Sequence, residues 1–292
     1  MTEVKKAIIP IAGLSTRFLP LSKAVPKELL PLADKPALHY LLEEALDSGI
    51  NQIIFVVGPG RKKEALNYFK RSPRLEKILK ERKKEAVLAN LKEVEDLAGR
   101  FTFSFAVQKE PLGDGHAVLQ ARKMVGDEAA AVMFADDIFD SKIPPVLQLA
   151  QIYKTCRKPV VALKKIPKEK VPHYGIVSTE KIASRLYKIK KIVEKPSPES
   201  APSDLALAGR YVITPETFQY LRKLPPNQKG EIILADALER MFRDGKIVYG
   251  IEIEGEWLEC GDKLRWLHSF FYFSLRHPQY GDCLKKYFKK HI

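Results

Sequence analysis

A short apolar run, Ala7-Ile8-Ile9-Pro10-Ile11, leads into Ala12-Gly13-Leu14-Ser15-Thr16-Arg17, and Lys23 and Lys27 follow. Small residues let main-chain N–H groups come close to phosphate oxygens, and Arg17 with the two lysines adds fixed positive charge. A strand and loop of this kind can hold a polyphosphate, such as the tail of a nucleoside triphosphate. On spacing alone the stretch also fits a basic surface loop after an edge strand. A second candidate is the pair Asp136-Asp137, which follows the buried run Ala129 to Ala135. A carboxylate at a strand end is aimed at the rim of a sheet, and magnesium takes one or two carboxylates plus phosphates. Asp136 is the first choice of ligand, and Asp137 points to the other face or caps a helix. Neither common nucleotide motif is present, since Gly-x-x-x-x-Gly-Lys-Ser/Thr is missing and no Gly-x-Gly-x-x-Gly follows the first strand. Gly58-Pro59-Gly60-Arg61 imitates a phosphate loop, but Pro59 removes an amide donor, so it reads as a turn.

The elements that must position these residues alternate. Strands are predicted at 7–11, 52–57, 101–107, 129–135 and 159–163. Helices are predicted at 34–48, 116–124 and 145–154, with a charged helical hairpin between Gly60 and Gly99. Such alternation implies an α/β fold with a doubly wound, mainly parallel, Rossmann-like mixed sheet, whose ligands sit beyond the carboxyl ends of its strands. The loops at 12–17 and 108–115 and the pair at 136–137 would then share one rim. The second half, from 166 to 292, is more mixed. It has strands at 174–177, 188–194, 205–213 and 246–253 and helices at 215–223, 231–244 and 262–275, then a basic amphipathic tail. The expectation is a single domain, residues 1–292, with a nucleotide-binding half (1–165) and a sugar-binding half.

A chain of 292 residues, 45% hydrophobic, can build a large core, burying roughly 75% of its unfolded surface. The net charge of +14 raises the question of a polyanionic partner. The excess lies in Arg61 to Lys92 and in Lys285, Lys286, Lys289 and Lys290. No nucleic-acid module or aromatic stacking array goes with it, so solvated helix faces are expected and no nucleic-acid binding. The three cysteines, Cys156, Cys260 and Cys283, form no Cys-x-x-Cys, which suits a reducing compartment. With no signal-peptide pattern and no apolar run long enough for a bilayer, a cytoplasmic protein without membrane contact is expected.

The stretch AGLSTRFLPLSKAVPKELLPLADKP resembles the signature of sugar-1-phosphate nucleotidyltransferases, within them the bacterial UTP–glucose-1-phosphate uridylyltransferases. The resemblance continues at Gly113-Asp114-Gly115-His116-Ala117-Val118, Val193-Glu194-Lys195-Pro196, Ala208-Gly209-Arg210-Tyr211-Val212, Glu231-Ile232 with Asp236-Ala237, and Cys260-Gly261 with Lys263. It implies uridylyl transfer from UTP to glucose 1-phosphate with Mg2+, in a homo-oligomer (dimer or tetramer). Ala12 and Gly13 would face base and ribose through their backbone, and Arg17 and Lys27 would hold triphosphate oxygens. Gln108 and the Gly113 amide would recognise uracil. Gly175, Glu194 and Gly209 would meet the sugar, and Lys195 would grip its phosphate. Glu259 stands where the family carries a second metal-binding aspartate, so Asp136 and Glu259 are the expected metal ligands. Ser15 stands in place of glycine, Asp114 of an apolar residue and Asp262 of asparagine. His116 is expected to be structural. A thymidylyltransferase and a non-catalytic nucleotide-binding regulator, the latter motivated by Glu259, are the alternatives.

Overall fold

In the computed structural model, which describes residues 3–62 and 67–291, strand and helix alternate as their apolar spacing requires. Part of the expected charged helical hairpin, at 63–66, lies outside the described residues. Leaving aside a two-residue hairpin at 31–36, the strands are β1 (Lys6–Pro10), β2 (Gln52–Val57), β3 (Thr102–Val107), β4 (Ala130–Met133), β5 (Asp137–Asp140) and β6 (Val160–Lys165). They continue with β7 (Gly175–Ala183), β8 (Leu186–Glu194), β9 (Leu205–Ile213), β10 (Tyr249–Glu252) and β11 (Glu256–Glu259). The helices are α1 (Ala37–Asp47), α2 (Pro73–Glu81), α3 (Glu85–Gly99), α4 (Asp114–Gln120), α5 (Arg122–Val125) and α6 (Pro145–Cys156). After them come α7 (Pro215–Lys223), α8 (Leu234–Arg243), α9 (Lys263–Arg276) and α10 (Gly281–His291).

Nine strands form one continuous sheet in the order β3-β2-β1-β4-β9-β6-β10-β8-β7. The ladders β3–β2, β2–β1 and β1–β4 are parallel. Beyond β4 the expectation of a mainly parallel sheet is corrected, because β9 runs antiparallel to both its neighbours and β8 to both of its own, leaving only β6–β10 parallel there. For β7 and β8 the physical reason is a short connection. Only Ser184 and Arg185 separate β7 from β8, and a two-residue link can join only antiparallel strands, whereas parallel neighbours need a long crossover. β5 and β11 pair separately, with Glu259 opposite Asp137.

Period-two alternation sends side chains to opposite faces. Ala7 and Ile9 of β1 and Ile53, Phe55 and Val57 of β2 pack with Leu38, Leu41, Leu42 and Ala45 of α1 and with Val146 and Leu149 of α6. Ile8, Ile54 and Val56 pack on the other face with Val118 of α4, Phe218 of α7 and Leu238 of α8. Both faces are therefore covered, and the near-continuous apolar runs of β1, β2 and β4 follow from that. The charged helices α2 and α3 lie at the margin of this core, α3 burying no residue fully but packing Val94, Leu97 and Ala98 against it.

Candidate active site

Because β1, β2, β3 and β4 are parallel, the segments that follow them emerge on one rim. These are the loop at 11–17, the turn Gly58–Arg61, the stretch 108–113 and the pair Asp136-Asp137. β1 lies between β2 and β4, so the order of strands reverses there, which is where open α/β sheets form their crevice. Side chains close the gap between the segments. Lys27 Nζ lies 2.7 Å from Asp136 Oδ2. Arg17 donates to the Gly261 carbonyl at 3.2 Å, Arg61 to the Gly13 carbonyl at 3.3 Å and Lys263 to the Leu19 carbonyl at 2.8 Å. A Cβ at Gly261 would lie 3.5 Å from both Arg17 and Asp136, so these three segments meet at one point.

The loop carries a local cost. Ser15 has φ 51°, a left-handed conformation that disfavours a Cβ, and its buried Oγ has no hydrogen-bond partner among the described residues. Ser15→Gly removes both penalties and adds only glycine's chain entropy, so it should stabilise the fold by about 1 kcal/mol. Urea unfolding at equilibrium checks this, and a drop in midpoint would count against it.

The acid pair is charged unevenly. Burial pushes Asp136 up, but the Lys27 ammonium outweighs it and holds the carboxyl below its ordinary value. Burial likewise pulls Lys27 down, and Asp136 outweighs that, leaving the ammonium raised. Asp137 is pushed up to about 7 by burial and then by the charge of Asp136. Asp137 Oδ1 accepts from Trp257 Nε1 at 2.7 Å. Gly209, expected to meet the sugar, is buried beneath Asp137: at φ 60° a Cβ there would sit 2.0 Å from Asp137 Oδ2. Next to it, Arg210 is fully buried. It donates to the carbonyls of Phe134, Gly209 and Asp137 and to the Glu44 carboxylate, the last at 2.8 Å. One guanidinium thus ties both ends of the turn 134–137.

Glu259 is already engaged. Its Oε1 accepts from Arg265 at 2.8 Å and its Oε2 from the Tyr174 hydroxyl. Asp136 and Glu259 nevertheless suit a hard divalent cation chemically, since both offer carboxylate oxygens. Among the described residues no group of three His, Cys, Asp or Glu is placed to hold a metal. A cation here would draw its remaining oxygens from bound phosphates.

Gln108 is buried, and its Nε2 donates to the Gly113 carbonyl at 2.9 Å and lies 3.1 Å from His116 Nδ1. Its Oε1 is what can accept from a ligand, and His116 orients the amide. Gly113 has φ 97°, and a Cβ there would lie 2.6 Å from the Ile232 carbonyl. A side chain would strike the α8 approach before any base. Asp114 starts α4 and accepts from the Leu234 amide at 2.8 Å. Burial pushes Asp114 up to about 6 against that bond and one from the Gly115 amide, and Glu194 and Asp236 add negative charge. Being raised above the ordinary carboxylate value near 4, it contributes stability present at low pH and lost as pH rises through about 6. Asp114→Asn should flatten this part of the stability profile between pH 4 and 7, as measured by melting temperature against pH. Parallel wild-type and variant profiles would contradict it.

Gly175 lies opposite Glu194 in the β7–β8 ladder, and a Cβ on it would be 3.2 Å from Glu194 Oε2. Lys195 has φ 46°, its amide donates to the Tyr174 carbonyl at 3.0 Å, and its ammonium pairs with Glu194 at 3.1 Å, both side chains half exposed. That pair adds little stability and leaves the ammonium available. The loop, Lys27, Asp136 and Gly261 are brought together, as are Gln108 with Gly113 and Gly175 with Glu194 and Lys195. Sequence reasoning gave no role to Arg61, Arg210, Tyr174, Trp257 or Arg265. Arg210 carried a signal, a lone charge within the strand LALAGRYVI, and Arg61 another, a cation just past a strand that neighbours the first.

A family model described as nucleotidyl transferase matches residues 6–270. The UTP–glucose-1-phosphate uridylyltransferase of Staphylococcus haemolyticus (strain JCSC1435) is 40% identical over 290 residues, 99% of each chain. Among solved structures, a UTP-bound UDP-glucose pyrophosphorylase from Acinetobacter baumannii superposes with a TM-score of 0.88 at 34% identity, over 98% of each chain. A UDP-glucose pyrophosphorylase complexed with UDP-glucose gives 0.82 at 33% identity, over 92% of this chain and 98% of that one.

Proposed function

The chain belongs to the nucleotidyl transferase family, and from that premise we propose how it acts. It transfers a uridylyl group from UTP to glucose 1-phosphate, giving UDP-glucose and pyrophosphate. The observation that carries the assignment to this rim is the convergence of the small-residue loop, Arg17, Lys27 and Asp136 where the strand order reverses. The rim belongs to a Rossmann-like, doubly wound half, and the sugar belongs to the half built on β7, β8 and β9, within one domain.

An oxygen of the sugar phosphate attacks the α-phosphorus of UTP in line, and the bond to the bridging oxygen of pyrophosphate breaks. The nucleophile arrives anionic and needs no base. No protein nucleophile is required, and burial pushes the nearby Cys260 thiol up to about 12, away from thiolate. Ala12 and Gly13 hold base and ribose through the main chain. Arg17 and Lys27 take triphosphate oxygens, Lys195 takes the sugar phosphate, and Gly175 and Glu194 meet sugar hydroxyls, with Gly209 giving Asp137 room below. Asp136, and Glu259 once freed from its present partners, would hold Mg2+, whose chemistry here is to neutralise phosphate charge. Rate enhancement comes from holding the two phosphates in line and from these fixed charges.

Gln108 Oε1 accepts the N3–H of uracil. Cytosine lacks that donor. Gln108→Leu should therefore raise the UTP KM roughly three- to tenfold, the worth of about one hydrogen bond, with a smaller change in kcat. Steady-state kinetics decide it, and an unchanged KM would remove Gln108 from the base site.

The same reading is of a cytoplasmic homo-oligomer, supported by the unpaired Cys156, Cys260 and Cys283 and by the family resemblance. The test is pyrophosphate release from UTP or dTTP with glucose 1-phosphate and Mg2+. UTP should give pyrophosphate and UDP-glucose in equal amounts and at higher kcat/KM than dTTP. Tight UTP binding without release would point to a regulatory nucleotide-binding protein instead.

A further inference from the structure

Both expected metal ligands have a side-chain cation on them, Lys27 on Asp136 and Arg265 on Glu259. The two differ in what else holds them. Only one oxygen of Asp136 is taken by Lys27, whereas each oxygen of Glu259 has its own partner, Arg265 and the Tyr174 hydroxyl. Arg265 is itself prearranged. Its amide donates to Asp262 Oδ1 at the start of α9, its Nε lies 3.2 Å from Asp262 Oδ2, and its guanidinium stands 5.4 Å from the Tyr174 ring centroid. Glu259 and Arg265 are 16% and 25% exposed, so their attraction is less screened than that of a surface pair. The backbone of Glu259 is already next to the acid turn. It is in register with Asp137, and the following Cys260 amide donates to the Asp136 carbonyl at 2.6 Å.

We propose that Arg265 is a built-in counter-ion that withholds the Glu259 carboxylate, so that a divalent cation meets one protein carboxylate, Asp136, before nucleotide is bound. Arg265 thereby acts as a positioning residue that sets the intrinsic metal affinity of the site. The inference rests on the reading of Asp136 as a metal ligand. Removing the guanidinium charge frees a second carboxylate beside Asp136 and tightens binding of the cation.

The test is Mn2+ binding to the full-length, nucleotide-free protein, followed by the electron paramagnetic resonance signal of free Mn2+. Arg265→Met should bind Mn2+ about fivefold tighter or more, the lower end of typical coupling between interacting sites. Arg265→Gln is also neutral but can still hydrogen-bond to Asp262, which guards the fold, and it should tighten binding in the same direction. The double variant Arg265→Met with Glu259→Gln should lose the gain. Circular dichroism confirms that each variant is folded. No tightening in either folded neutral variant would overturn the proposal, and so would a gain that survives in the double variant. Asp136→Asn separates the two levels of the inference. Unchanged Mn2+ affinity in that variant would overturn the underlying metal site, whereas a loss there with no response to Arg265 overturns the counter-ion alone.

Discussion

Asp136→Asn should lower kcat for UDP-glucose formation by about 10²-fold or more, the scale seen when one preorganised charge-stabilising group is removed from an active site. Asparagine keeps the shape and one oxygen, so packing at the end of β4 survives, but the formal charge is gone. Two things then fail together. The cation loses its principal carboxylate, and Lys27, now held raised by Asp136 at 2.7 Å, loses the partner that fixes its position. A steady-state assay at several Mg2+ concentrations distinguishes this from a loss of fold. The variant should keep a cooperative melt and should not recover wild-type kcat at saturating Mg2+. Full activity would remove Asp136 from the chemistry.

Arg210→Met should be the most destabilising single change near the site, at about 3–5 kcal/mol, because it strands a buried partner charge. Arg210 is fully buried and Glu44 only 9% exposed, so methionine leaves the carboxylate with no counter-ion among the described residues and takes one donor from each of the carbonyls of Phe134, Gly209 and Asp137. Urea unfolding measures the loss. Glu44→Gln added to Arg210→Met should recover part of it, since the stranded charge disappears, and a double-mutant cycle gives the coupling. Strict additivity would show that the two side chains do not act as a pair.

The parallel half of the fold was legible because β1, β2 and β4 are apolar on both faces and its helix α1 repeats Leu38, Leu41, Leu42 and Ala45 on one side. β9 and α7 begin and end where the pattern places them, at Leu205–Ile213 and Pro215–Lys223. The small sheet β5–β11 was not legible. Asp137-Ile138-Phe139-Asp140 and Glu256-Trp257-Leu258-Glu259 are four residues each, bounded by acids, too short for period two to stand out. That sheet is what brings Glu259 opposite Asp137 and Trp257 onto its carboxylate. For the same reason the partners of Glu259 escaped notice, because Tyr174 and Arg265 reach it from separate elements. At Gly209 and Gly113 the resemblance implied ligand contacts, whereas what demands glycine there, close approach of Asp137 and of the Ile232 backbone, exists only in the folded chain.

The central claim is direct transfer, in which substrate phosphate attacks UTP and the protein contributes position and charge but no covalent link. The stereochemical course at the α-phosphorus tests this most directly, using UTP made chiral there by a sulfur in place of one oxygen. A single in-line displacement predicts UDP-glucose of inverted configuration, read by 31P NMR of the product. Retention would require two displacements through a protein-bound nucleotidyl group and would contradict the account.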